Sequence, residues 1–88
     1  MTQEIQTDFV IFRRKQVQAV SGYSRSTLYS RMAEGLWPKP VHLGPRAVGW
    51  PAREVKALNE ARIAGLSDPA IRELVQQLAI ARQAGAAA

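Results

Sequence analysis

The residues best suited to chemistry in this sequence are hydroxyl-bearing and basic side chains that fall within one short stretch. They are Ser24, Arg25, Ser26, Thr27, Tyr29, Ser30 and Arg31. Hydroxyl groups can donate or accept hydrogen bonds at base edges, and arginine can bind a guanine edge or a phosphate. Small side chains also allow a helix to approach the floor of the major groove closely. The stretch therefore favours contact with duplex DNA, with a solvated helix face as the alternative.

Two further groups of basic residues flank this stretch. The first is Arg13, Arg14 and Lys15, and the second is Lys39, His42 and Arg46. Positive charge at the start of a helix opposes the helix dipole by a few tenths of a kcal/mol, a cost that a phosphate contact would offset. We predict phosphate contacts for the first group, although a solvated cluster explains it nearly as well. For the second group we predict contacts from a hairpin, with a hydrated loop tip as the alternative for Arg46 and an exposed strand position as the favoured alternative for His42.

Composition narrows the possible functions. The chain has 88 residues, with twelve Lys and Arg against seven Asp and Glu, so its net charge is +5. This balance favours a polyanionic partner. There is no cysteine and a single histidine, which excludes disulfides and thiolate metal sites and leaves too few histidines for a catalytic relay. The glycine-rich pattern of a phosphate loop is also absent from the sequence. We therefore expect a protein that is not an enzyme and needs no cofactor or metal.

The length of the chain and its apolar runs indicate one small domain outside the membrane. No apolar run approaches the ~20 residues that a spanning helix needs, and residues 1–8 lack the hydrophobic segment of a signal peptide. We expect a soluble, cytoplasmic protein without a membrane partner.

A helix is predicted to carry the hydroxyl-bearing stretch. Ser24 can cap its first amides, Arg25–Ala33 continues it, and Gly35 can end it. Leu28 and Met32 lie one turn apart and define its buried side, so the hydroxyl groups should face outward.

An amphipathic helix over Arg14–Val20 precedes the hydroxyl-bearing one, with Val17 and Val20 on its apolar side. Gly22 can adopt the left-handed conformation that ends this helix at little cost. Two short helices joined by a turn that contains glycine are typical of a helix-turn-helix.

The segment after Gly35 predicts a β-hairpin. Two prolines in residues 36–40 exclude a helix there, and β-forming residues then resume on both sides of a turn near Gly44–Arg46. Strict alternation would place Val41, Leu43, Val48 and Trp50 on the core face. A hairpin attached to a helix-turn-helix is a wing, and its tip would carry Arg46. Both tryptophans are expected in the core.

Two more helices are expected towards the C-terminus. Pro51 should be the first residue of the third helix, with Val55, Leu58 and Ile63 on its apolar side. In the fourth, apolar residues recur at helical spacing from Ile71 to about Arg82. The apolar side of this fourth helix should either pack back on the domain or join a second subunit.

The predicted fold class is therefore mainly α with a small β-hairpin, arranged as a winged helix-turn-helix. We expect four regions along the chain. They are a flexible arm at 1–8, the DNA-binding domain at 9–65, an amphipathic helix at 66–83 and a frayed tail at 84–88.

This order of elements resembles the AlpA family of phage and mobile-element regulators, which is related to excisionases and to the helix-turn-helix part of the MerR type. Three runs carry the resemblance, namely SGYSRSTLY at 21–29, GLWPKP at 35–40 and GPRAVGW at 44–50 followed by Glu54 and Val55. The resemblance implies that the helix over Ser24–Ala33 enters the major groove and that the hairpin at 41–50 acts as a wing. The position after Tyr29 is often basic in such proteins, whereas it is Ser30 here.

Three functions follow as hypotheses. The first is a recombination directionality factor, or excisionase, which binds and bends attachment-site DNA and contacts an integrase or further copies of itself. The second is a transcriptional regulator of mobile-element genes. The third is a protein-interaction module that uses the stripe from Ile71 to Leu78, with its positive charge incidental.

Overall fold

Four helices and three short strands make up the part of the chain, residues 10–87, that this computed structural model describes. The elements in chain order are β1 (Ile11–Phe12), α1 (Arg14–Ser21), α2 (Arg25–Ala33), β2 (Val41–Gly44), β3 (Ala47–Pro51), α3 (Ala52–Ile63) and α4 (Asp68–Ala87). The predicted arm at 1–8 lies outside the described residues. A mainly helical chain with a small sheet confirms the predicted fold class.

The first two helices form the predicted helix-turn-helix. Gly22 follows α1 with a φ of 78°, and its amide donates to the carbonyl of Gln18. Only glycine adopts this left-handed conformation without strain. Ser24 caps α2, because its hydroxyl accepts from the amide of Thr27 at 3.2 Å. Leu28 is fully buried, so α2 packs on the core by the side that the sequence predicted.

A third strand joins the hairpin. The strand order is β1-β3-β2, and both pairings are antiparallel. Phe12 lies opposite Trp50, and the amide of Ala52 donates to the carbonyl of Val10. At Gly49 a β-carbon would lie 2.5 Å from Cγ2 of Ile11, so this position requires glycine. The sheet thus ties the segment before α1 to the wing.

The register of the hairpin differs from the prediction. His42 lies opposite Val48 and Gly44 opposite Ala47, so Leu43 has no partner on β3 and forms a bulge. One extra residue on a strand moves the residues before it to the opposite face. The expectation that Val41 and Leu43 share a core face with Trp50 was therefore wrong, and Leu43 is 44% exposed.

The core lies between the helices and the inner face of the sheet. Its fully buried side chains include both tryptophans, as predicted, and come from every helix. The principal members are Val17, Leu28, Leu36, Trp37, Trp50, Val55, Leu58 and Ile71. Tyr23 packs edge-on against Trp37, with ring centroids 5.6 Å apart. At about 25 cal/mol per Å² of apolar surface, these large side chains dominate the hydrophobic stabilisation of a domain this small.

Three expectations for α1 and α3 need correction. Pro51 ends β3 and caps α3, so the first helical residue is Ala52. Ile63 is 86% exposed, because its position falls outside the buried stripe that Val55, Leu58 and Ala61 form. Val20 is also exposed, at 48%, and borders a shallow apolar depression between α1 and α3.

The fourth helix packs back on the domain. Ile71 is fully buried, and Leu74, Val75 and Leu78 pack against the core. The helix continues to Ala87, past the expected end at residue 83. Ala is the best helix former, so the alanine-rich end propagates a helix that the core has already fixed.

Among residues 10–87, no helix combines the length and the apolar content that crossing a membrane requires.

Candidate nucleic-acid interface

The outer face of α2 presents hydroxyl groups to solvent. Ser26 and Ser30 lie one turn apart and are both exposed, because the opposite side of the helix is held in the core by Leu28. A shallow depression runs along this face. It is lined by Ser26, Thr27, Ser30, Arg31 and Glu34. The face is free of bulky apolar side chains, so a partner can approach the helix backbone closely.

Two of the predicted hydroxyl contacts also serve the structure of the helix. The Ser24 hydroxyl donates to Oγ1 of Thr27 at 2.9 Å in addition to accepting from the Thr27 amide. Oγ of Ser26 lies 3.4 Å from that of Ser24. Ser24 and Thr27 are thus fixed at the first turn of α2, while Ser30 makes no side-chain hydrogen bond among the described residues.

A groove lined by basic side chains lies beside α2. Its walls come from the N-terminus of α1, from α2 and from the wing. The residues of this basic groove are Arg13, Arg14, Lys15, Tyr29, Arg46 and Val48, and its volume is about 370 Å³. Four cations from two separate stretches of sequence meet here. None of the four is within 4.0 Å of a carboxylate among residues 10–87, so the groove carries uncompensated positive charge.

Hydrogen bonds hold the walls of the basic groove together. Nε of Arg13 donates to the carbonyl of Val48 at 3.1 Å, which links the start of α1 to the wing. Nη1 of Arg14 donates to Oε1 of Gln18 at 2.9 Å. The Arg13 amide donates to Oε1 of Gln16, which supports the first turn of α1. Two of the four cations are therefore oriented before any ligand binds.

The wing contributes unequally to this interface. Arg46 lies in the two-residue turn between β2 and β3 and reaches the basic groove. His42 is exposed and lies opposite Val48 in the hairpin, but it does not line the groove. Lys39 is elsewhere, because it lines a separate depression between the 36–40 link and α4. The structure thus brings Arg46 to the groove and leaves His42 and Lys39 outside its lining.

The two arginines of α2 have different surroundings. Nη1 of Arg31 lies 3.6 Å from Oε2 of Glu34, and its guanidinium lies over the ring of Tyr23, 5.9 Å from the centroid. The side chain of Arg25 is exposed and makes no hydrogen bond or ion pair among the described residues. Arg25 is therefore the more available of the two for a ligand.

Sequence reasoning missed two features of this region. It assigned Val48 to the core, whereas Val48 also lines the basic groove. It also overlooked that Glu54 is buried, with 1% of its surface exposed, and that it pairs with Arg82. The spacing of Glu54 to Leu58 and Ala61 was a usable signal, because these positions share one helical stripe and a buried carboxylate requires a partner.

The arrangement combines three features in one place. An exposed helix face with hydroxyl groups lies next to a groove with four cations, and the wing borders the groove on its other side. The positively charged groove complements a polyanion, and the exposed face of α2 has the small and hydroxyl-bearing side chains that suit a major groove.

Comparison with known proteins gave a family and a phage relative. The model of the family described as "Prophage CP4-57 regulatory protein (AlpA)" matches residues 10–63. The uncharacterized protein ORF88 of Enterobacteria phage P4 is 42% identical over 53 residues, and the aligned segment covers 60% of each chain. The similarity thus spans less than two thirds of that relative. No solved structure matches.

Proposed function

This chain belongs to the AlpA family of prophage regulatory proteins, and from that premise we propose that it binds duplex DNA with α2 in the major groove. The observation that carries the proposal is the basic groove beside α2, since it joins four cations from separate stretches with no acidic partner among residues 10–87. In this proposal the protein acts as a regulator by occupying DNA sites in the cytoplasm of a bacterial cell.

In this proposal α2 reads bases and the basic groove binds the phosphates that flank them. Ser26, Ser30 and Arg25 are exposed on α2. The two serines are short, so they allow α2 to approach the base edges closely, and Arg25 can reach a base edge or a phosphate. Tyr29 is 40% exposed and stands between the helix face and the groove. Phosphate contacts fix the orientation of a protein on DNA, and contacts to base edges supply sequence preference.

The wing supplies a second support on the DNA backbone. Arg46 lines the basic groove together with Arg14 and Lys15, so it would contact the same DNA backbone from the wing. His42 is exposed on the wing and would add a weaker contact there. Arg31 is bound to Glu34 and would act at the edge of the interface. Lys39 would contribute to the general positive field.

The biological role we favour is that of an excisionase, in which bound copies bend attachment-site DNA and promote excision by an integrase. A small domain that places a helix and a wing on DNA can repay the cost of bending with additional contacts. Transcriptional regulation of mobile-element genes uses the same surface and is the second candidate, favoured by the regulatory description of the family.

Two assays distinguish these roles. A mobility-shift titration compares duplexes from the attachment site of the mobile element and from its promoters with a scrambled duplex. An excision assay in a deletion strain then tests the consequence. Preferential binding at the attachment site, together with the absence of excision in the deletion strain, supports the excisionase role. Normal excision together with changed reporter expression selects the regulator, and equal weak binding to every duplex contradicts sequence-specific recognition.

The interaction-module hypothesis loses its proposed surface. It required the stripe from Ile71 to Leu78 to be available to a partner, but Ile71 is fully buried and the rest of the stripe packs against the core. The salt dependence of binding checks this hypothesis independently. Each phosphate contact contributes roughly 0.9 to the slope of log affinity against log salt concentration, so a slope near zero would support the interaction module over DNA binding.

A further inference from the structure

The segment that joins α2 to the wing is held by side chains at its carbonyl groups. Residues 34–40 contain two prolines, so they cannot form a regular ladder of backbone hydrogen bonds. Their carbonyls instead accept from side chains elsewhere. Nε1 of Trp50 donates to Pro38 at 2.8 Å, and two arginines of α4 donate to Glu34 and Lys39. The path of this segment is thus set by side-chain donors, two of which belong to α4.

Arg72 acts at the start of the segment. Its Nε donates to the carbonyl of Glu34 at 2.9 Å, at the C-terminal cap of α2. Its aliphatic carbons lie against Gly35, where a β-carbon would be 3.8 Å from Cγ of Arg72. Gly35 has a φ of 77° and reverses the chain after α2. Arg72 therefore contacts the recognition helix at the point where the chain leaves it.

Arg82 acts at the other end of the segment. Its Nη2 donates to the carbonyl of Lys39 at 2.9 Å, two residues before β2 begins. The same guanidinium binds Glu54 with two hydrogen bonds, including one of 2.7 Å from Nε to Oε2. Because the Glu54 carboxylate is buried in α3, Arg82 connects the start of the wing to the centre of the domain.

We propose that Arg72 and Arg82 are positioning residues that set the orientation of α2 relative to the wing, and thereby the sequence specificity of DNA binding. The two contacts lie at opposite ends of the covalent connection between α2 and β2. The inference rests on the proposed DNA-binding function and extends it to α4, which lies beyond the residues that the family model matches. Neither arginine needs to touch DNA to have this effect.

The test compares Arg72→Gln with Arg53→Gln. Both variants lose one positive charge. Arg53 serves as the control because it is exposed on α3 and makes no side-chain hydrogen bond among the described residues. The probes are a duplex selected from a random pool by the unaltered protein and a scrambled duplex of equal length. For Arg72→Gln we expect the ratio of the two affinities to fall by roughly 2- to 30-fold, the range that indirect coupling through packed contacts spans. Arg53→Gln should leave the ratio unchanged.

A second variant tests Arg82 without leaving a buried charge unpaired. Arg82→Met combined with Glu54→Leu removes both partners together, and such replacements are often neutral for folding. Thermal melting identifies whether the variant is folded. We expect a folded variant with a similar loss of the affinity ratio.

The salt dependence of binding separates positioning from direct contact. A positioning role leaves the slope of log affinity against log salt unchanged, whereas removal of a phosphate contact lowers it by roughly 0.9. An unchanged affinity ratio in both variants, or a fall in the ratio accompanied by a lower slope, overturns the inference. If the unaltered protein selects no duplex at all, the proposed function fails instead, and the two failures are therefore distinguishable.

Discussion

Arginines of the basic groove carry the same charge as the arginines on α3 and α4 but have different partners. The second set, called the α3–α4 face, consists of Arg62, Arg72 and Arg82. Arg14 and Arg46 have no carboxylate within 4.0 Å among residues 10–87, whereas Arg62 pairs with Asp68 and Arg82 with Glu54. Arg72 binds a backbone carbonyl. An arginine that is satisfied within the protein contributes to the fold, whereas Arg14 and Arg46 have no acidic partner there and remain available for phosphate.

This division also explains why net charge is a coarse guide to the interface. The chain has twelve basic residues, and those on the α3–α4 face add to the total but lie outside the proposed interface. Buried and exposed ion pairs differ again in their energetic weight, because desolvation makes a buried partner indispensable. Substitutions on the α3–α4 face should therefore change the free energy of unfolding, and substitutions in the basic groove should change the affinity for DNA.

The largest effect is expected for Arg82→Ala. This change leaves the buried Glu54 carboxylate without its partner, and breaking such a pair typically costs about 3–5 kcal/mol. Urea unfolding followed by circular dichroism measures the change in the free energy of unfolding. A decrease below about 1 kcal/mol would show that water or another group replaces the guanidinium, and it would weaken the distinction between the two sides.

The next effect concerns the basic groove. Replacing Arg14, Lys15 and Arg46 together with glutamine should lower the slope of log affinity against log salt by about 0.9 for each phosphate contact that the substitutions remove. The free energy of unfolding should change little, because these cations have no buried acidic partner among residues 10–87. A mobility-shift titration at several salt concentrations provides the measurement, and an unaltered slope contradicts the assignment of this groove to phosphate.

Arg25→Ala should weaken specific binding by about 1–3 kcal/mol if Arg25 contacts a guanine edge. The side chain of Arg25 is exposed on α2 and makes no hydrogen bond or ion pair among the described residues, so folding should be preserved. Fluorescence anisotropy with the selected and scrambled duplexes distinguishes base reading from a phosphate contact, which would reduce both affinities equally. If neither affinity changes, Arg25 is not part of the interface.

Arg62→Ala should have the smallest effect. Nη1 of Arg62 lies 3.6 Å from Oδ1 of Asp68, and both side chains are partly exposed, a setting in which ion pairs contribute about 0–1 kcal/mol. Urea unfolding should therefore show a small change, and the affinity for DNA should remain as in the unaltered protein. A destabilisation comparable to that of Arg82→Ala would mean that burial does not separate these two pairs.

Sequence reasoning predicted the helix-turn-helix well because its signals are local. The conformation of Gly22, the cap at Ser24 and the buried side at Leu28 each depend on residues only a few positions apart. The same applies to the outward direction of Ser26 and Ser30. Which of these residues contact DNA remains a prediction, since direction alone does not identify a ligand.

Local signals failed where one residue changed a register. Alternation along β2 predicted a shared face for Val41 and Leu43 with Trp50, but the bulge at Leu43 reversed that face. The same shift placed His42 opposite Val48. A bulge leaves no reliable trace in residue types, because it depends on how the turn and the neighbouring strand fit together.

The sequence by itself determined the helices, the turn glycines, the identity of the basic residues and the resemblance to the family. Only the tertiary structure decided which cations share a groove, that Arg82 binds Glu54 rather than solvent, and that α4 packs on the link between α2 and the wing. The physical reason is distance along the chain. Helix propensity and capping act over a few residues, whereas these pairings join positions far apart in the sequence, and their geometry is fixed by packing.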